Sequence, residues 1–172
     1  MDRSPAVRHR GSMNLQSLPY ALWPIMRPLL HFYRRLAHGT TTGVRAMVID
    51  GAGRVFLVKH SYVPGWHLPG GGVDRGEAVG AALARELFEE TGIKLAGAPK
   101  LHGVFFNNRE SRRDHVVVFI VRDFVQERQP EPDYEIIAHG FFAIDALPDD
   151  TSRATRARIA EVFAGVAVSE VC

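Results

Sequence analysis

A mixed α+β fold, with strands layered against two helices, is predicted by three observations. Short β-branched, apolar runs recur along the chain, two stretches switch to a helical period, and the strand connections are hairpin-length. The runs 44–50 (VRAMVID) and 54–60 (RVFLVKH) flank Gly51-Ala52-Gly53 and read as a hairpin. Residues 61–76 hold Pro64, Gly65, Pro69, Gly70, Gly71, Gly72 and Gly76, which predicts a long loop. From Glu77 to Thr91 the pattern is helical, and Gly92 stands where a helix needs its C-terminal cap. Strands are expected at about 100–106 and 115–122, separated by the polar loop Asn107–Asp114. Another is expected at about 135–144, before a turn at Leu147-Pro148. Asp150, Thr151 or Ser152 then caps a last helix that runs to about Phe163.

The 172 residues suffice for one compact domain and a short appendage, and the 46% apolar content argues against disorder. The one cysteine, Cys172, excludes an internal disulfide and a thiolate zinc cage. Residues 1–45 carry seven arginines against Asp2 alone, a net +6, whereas the 14 basic and 18 acidic residues of 46–172 give −4. An acidic body repels a bare polyanion unless cations intervene. The chain is divided accordingly into a basic, apolar leader (1–40) and a domain over 41–172. The leader's apolar stretch is cut by Pro19, Pro24, Arg27 and Pro28. The run from Leu18 to Met26, itself broken by Pro19 and Pro24, is under half of the roughly 20 residues that a membrane span requires. A soluble, cytoplasmic protein is expected, with a short amphipathic helix over 29–37 that docks on the body or a partner, and with 1–28 outside the catalytic machinery.

The helix at 77–91 carries the chemistry. Its periodicity sets Ala81, Leu83, Ala84, Leu87 and Phe88 on one arc and Glu86, Glu89 and Glu90 on the other side. Like-charge pairs at i,i+3 and i,i+4 cost about 0.2–0.5 kcal/mol each in an isolated helix. Arg85 offsets part of this through Glu89. A solvated acidic face would be the ordinary explanation. Here, though, Leu68-Pro69-Gly70-Gly71-Gly72 precedes the helix, and its backbone can approach a ligand closely. Glu77 adds a fourth carboxylate. Clustered carboxylates beside an open glycine loop are what a hard divalent cation requires, with positions left for water and phosphate.

From Gly71 the chain reads GGVDRGEAVGAALARELFEETGI, which resembles the Nudix box G-x5-E-x7-R-E-U-x-E-E-x-G-U at every specified position, U being aliphatic. The matching residues are Gly71, Glu77, Arg85, Glu86, Leu87, Glu89, Glu90, Gly92 and Ile93, and similar flanks extend the resemblance over roughly 41–165. It implies an α/β/α sandwich with a mixed sheet. It also implies metal-dependent hydrolysis of a nucleoside diphosphate linked to another moiety, by water attack on phosphorus. Glu86, Glu89 and Glu90 then look like the main ligands of Mg²⁺ or Mn²⁺, supported by Glu77 and the Gly71 carbonyl, with Arg85 orienting the glutamates. A Nudix-fold binding or regulatory module with little catalysis is the alternative.

The general base is open. Glu89 and Glu90 are candidates, as is Glu135, which resembles the extra glutamate of some members, and Asp114 is a weaker one. Arg109, Arg112 and Arg113 suit phosphate or carboxylate recognition. Tyr62, Trp66, Phe105 and Phe106 are candidates for stacking on a base. The expected partner is a small nucleotide-type diphosphate, and a nucleic acid only as a capped or triphosphorylated RNA end.

Overall fold

A computed structural model describes residues 41–108, 113–130 and 134–172. The leader helix expected over 29–37 lies outside them. The described elements are β1 (Thr41–Val48), β2 (Val55–His60), β3 (Trp66–His67), α1 (Val79–Thr91), β4 (Ile93–Leu95), β5 (Lys100–Phe106), β6 (Asp114–Val121), β7 (Phe124–Gln126), β8 (Ile136–Phe142) and α2 (Arg153–Phe163). The strand order β1-β6-β5 is mixed, because β1 runs parallel to β6 while β5 runs antiparallel to it. A second, antiparallel sheet has the order β3-β2-β8, and β4 pairs with β7.

The alternation of β1 and β2 explains the layering. Val44, Ala46 and Val48 of β1 join Phe56 and Val58 of β2 in one core, under Ala82, Leu83 and Leu87 of α1. Met47 and Ile49, with Val55 and Leu57, point the other way into a second core that contains Ile159 of α2. Each strand is apolar on both faces because each face is roofed by a helix. The mixed α/β/α sandwich is therefore observed.

Two expectations need correction. The segments around Gly51–Gly53 do not form a hairpin ladder. A single bridge, Ile49 to Val55, and the Asp50 carboxylate, which accepts from the Ala52 and Arg54 amides, close the turn. Beyond it β1 takes β6 as its parallel partner over its whole length and β2 takes β8. A local turn reading cannot see such distant partners.

The second correction concerns α1. Its buried side chains are Ala82, Leu83, Glu86, Leu87, Glu90 and Thr91, while Ala81 and Ala84 are exposed. The inward face is thus rotated from the apolar arc, and two carboxylates lie on its buried flank. Alanine buries little area, so Ala81 and Ala84 have weak claims on the core. The helix starts two residues later than expected, and Glu77 instead accepts the Asp74 amide in the turn before it. Gly92 caps the C-terminus at φ 66°, donating to the Phe88 carbonyl, as expected. Ser152 is the cap of α2, accepting from the Thr155 amide at 3.2 Å. No helix among the described residues is long and apolar enough to cross a membrane.

Candidate active site

The glycine loop is laced to β1. Ala46 N donates to the Pro69 carbonyl (2.8 Å), Val44 N to the Gly71 carbonyl (2.9 Å), and Val73 N to the Thr42 carbonyl (2.9 Å). Arg45, the one charged residue of β1, clamps the loop by donating to the carbonyls of Leu68 and Gly70. Gly70 has φ 134°, and a Cβ there would overlap the Val44 carbonyl oxygen. Only glycine fits that backbone.

Helix α1 lays its carboxylates against this loop. Glu86 and Glu90 are 7% and 8% exposed. Glu90 Oε2 accepts the Gly70 amide at 2.7 Å. Glu86 fills the space above Gly71 so closely that a Cβ there would stand 2.5 Å from its Cδ. Glu89 faces outward, its side chain 46% exposed. The sequence brings these three together by i,i+3 and i,i+4 spacing, but the structure gives them unequal surroundings.

Arg85 holds the group. Its Nε and Nη2 form a fork on Glu77, both bonds 2.9 Å, and Nη2 also donates to the Gly72 carbonyl at 3.0 Å. Nη1 donates to Glu86 Oε1 at 2.6 Å and stands 3.7 Å from Glu89 Oε2. Charge-assisted, bidentate bonds of this kind fix geometry as well as energy. They hold the Glu77 carboxyl down to about 2. Burial works in the opposite direction on the inner pair. It pushes Glu86 upward and Glu90 up to about 8, only partly countered for Glu90 by Arg45 and the Gly70 amide, with Glu86 and Glu135 adding repulsion.

Two buried carboxylates raised by desolvation in a cradle shaped by glycines suit a hard cation that trades their protons for its own charge. Among the described residues no three histidines, cysteines or carboxylates close into a full metal cage. Mg²⁺ needs no such cage, since it keeps several waters and uses one or two carboxylates plus substrate phosphate. The donor set fits.

Glu135, just before β8, is brought to this cluster. Its carboxylate accepts the Tyr62 hydroxyl at 3.1 Å, its carbonyl accepts the Ser61 amide at 2.9 Å, and its charge is felt at Glu90. A register shift in the β2–β8 pairing between Lys59 and His60 sits at this point, and bulges of this kind recur beside active sites. Asp114 is tied elsewhere, accepting from the Thr41 hydroxyl (2.6 Å) and the Asn107 amide (2.8 Å), which makes it a clasp between β1 and the β5–β6 turn. Arg113 is exposed, with its carbonyl bonded to Thr41 N at the loop end of β1, while Arg109 and Arg112 lie outside the described residues.

Of the aromatic candidates, Tyr62 is exposed beside Glu135. Trp66 packs edge-on to Phe142 and Phe106 tilts against His115. Phe105 is buried under the Arg158 guanidinium, 3.7 Å from its ring centre. Sequence reasoning missed two neighbours. A cation among the apolar residues of VRAMVI, residues 44–49, was the available signal for Arg45. His60, buried with its Nε2 3.8 Å from Glu90 Oε1, had no signal beyond its place at a strand end.

The NUDIX domain family model matches residues 39–163. The crystal structure of a MutT NUDIX hydrolase from Burkholderia pseudomallei superposes with a TM-score of 0.63 at 32% identity, covering 73% of this chain and 100% of that one. An RNA pyrophosphohydrolase of Brucella anthropi is 33% identical over 96 residues, 51% of this chain and 44% of that protein. Diphosphoinositol polyphosphate phosphohydrolase 2 of Rattus norvegicus is 39% identical over 74 residues, 42% of this chain and 41% of that protein. The chain spans less than half the length of these two curated relatives. With a family model over most of its length and the glycine loop and glutamate helix in place, the chain belongs to the NUDIX domain family.

Proposed function

We propose that this chain hydrolyses the diphosphate bond of a nucleoside diphosphate linked to another moiety, using Mg²⁺ or Mn²⁺. The observation that carries the reading is the buried Glu86–Glu90 pair pressed against Gly70 and Gly71 and oriented by Arg85. When bound, the cation neutralises the diphosphate and acidifies the attacking water. Glu86 and Glu90 would hold it, with Glu77 in support through Arg85. The Gly71 carbonyl, already accepting from Val44, offers its second lone pair. Glu89, the solvent-facing carboxylate, takes the proton of the attacking water. The water oxygen bonds to phosphorus as the bridging P–O bond breaks, and the leaving phosphate carries off the bond's electron pair. Glu135 borders the site through Tyr62 and is the second candidate for base. Arg113, with Arg109 and Arg112 close to it in sequence, supplies cations for the distal phosphate. The domain, 41–172, carries this machinery without residues 1–28.

The names of the relatives supply two substrate classes to try, an RNA and a diphosphoinositol polyphosphate, and nucleoside triphosphates are tried beside them. Nucleotide sugars, ADP-ribose and dinucleotide polyphosphates complete the panel, run with Mg²⁺ and with Mn²⁺. Turnover of at least one compound, abolished by chelator, is expected. Tight ligand binding without product would favour the binding module instead, and neither turnover nor binding by folded protein would defeat both readings.

A further inference from the structure

His60 is 5% exposed, and neither ring nitrogen has a hydrogen-bond partner. Such groups are uncommon in native interiors because each one forfeits its hydration without compensation. The ring's surroundings are specific. Tyr62 lies 5.2 Å away and His67 6.1 Å away, centre to centre, and Nε2 stands 3.8 Å from Glu90 Oε1. That gap is about 1 Å longer than a hydrogen bond. Glu90 meanwhile has its Oε2 occupied by the Gly70 amide, so Oε1 is the oxygen with an orphaned ring nitrogen opposite it.

We infer that His60 is a positioning residue for Glu90, its unpartnered Nε2 set to donate to Oε1 and fix the orientation of that carboxylate. The inference rests on Glu90 being a cation ligand, as proposed above. A buried carboxylate held at both ends, by an amide on one oxygen and an imidazole on the other, has one orientation left. Carboxylates that ligate metals are commonly fixed by such outer hydrogen bonds. The orphaned nitrogens then have a reason to exist, since they are a cost carried by the metal-free protein and recovered on loading. A histidine that merely packs among Tyr62 and His67 has no such reason. Phenylalanine would fill the same space and remove the unpaired atoms.

That contrast gives the test. Mn²⁺ affinity, read from the electron paramagnetic resonance signal of free Mn²⁺, is measured with the full chain and no substrate. The wild type is compared with His60→Phe, His60→Gln and Glu90→Gln, together with the melting temperature of each in chelator. His60→Phe is expected to melt at or above the wild type yet bind Mn²⁺ about 10- to 100-fold more weakly. His60→Gln, which places an N–H near the position of Nε2, restores most of the affinity. If His60→Phe fails to fold, His60→Met repeats the comparison without a donor. Wild-type Mn²⁺ affinity in His60→Phe or His60→Met overturns the inference, and weak binding by Glu90→Gln in the same series leaves the metal site standing. If the wild type binds no Mn²⁺, the metal reading fails and this inference with it.

Discussion

Replacing Glu90 with glutamine is expected to lower turnover on the order of a hundred-fold or more, while the chain folds and the metal-free protein gains stability in alkali. Glutamine keeps the length of the side chain and an oxygen for the Gly70 amide, so the loop stays in place. It removes an anion from a site where burial already pushes the carboxyl up to about 8. The sign follows from proton binding. Between its unfolded value near 4.5 and 8, the folded protein holds a proton that the unfolded chain has lost. Wild-type stability therefore falls as pH rises through that window, and the glutamine variant escapes the fall. Initial rates at saturating Mg²⁺, with calorimetric melting at pH 6 and pH 9 in chelator, check both halves. Under a merely solvated acidic face, turnover would not change.

Gly71→Ala is expected to separate activity from stability in another way. Gly71 has no positive φ, so alanine is tolerated by the backbone, and the group it strikes is the end of a flexible side chain, the Glu86 carboxylate. The helix need not move; Glu86 must. Stability should change by about 1 kcal/mol or less, as for glycine-to-alanine changes at compatible positions. Activity should fall by at least about ten-fold, because the carboxylate leaves both the cradle and its 2.6 Å bond to Arg85. Melting temperature and kcat on the same preparation decide it. Retained activity would mean that Glu86 has no fixed place in the chemistry.

The glutamate box made the site legible because its spacing is itself the geometry: one helical turn separates Glu86 from Glu89 and Glu90, and a glycine loop precedes them. The two helices and the five longer strands were also legible, since each carries a long enough pattern. β3, β4 and β7 were not, being two or three residues long with no period to read. The orientation of α1 was misjudged for a physical reason. A hydrophobicity pattern counts glutamate as outward, whereas Glu86 and Glu90 are buried and held by the Gly70 amide and Arg85. Arg45 and His60 escaped notice because contacts 25 and 30 residues distant, not neighbours in sequence, bring them to the loop and the helix. Glu135 was found only by likeness to other members. Its pairing with Tyr62 depends on the β2–β8 register.

Every step of the proposed chemistry depends on the buried pair of glutamates binding a divalent cation. Calorimetric titration of the full chain with Mn²⁺ at pH 7, in two buffers of different ionisation enthalpy, examines that binding without any substrate. With Glu90 held near 8 by burial, a cation must displace a proton to bind. Saturable binding with net proton release is expected, both reduced in Glu90→Gln. Absence of binding, or binding of equal strength and with equal proton release in Glu90→Gln, would contradict it.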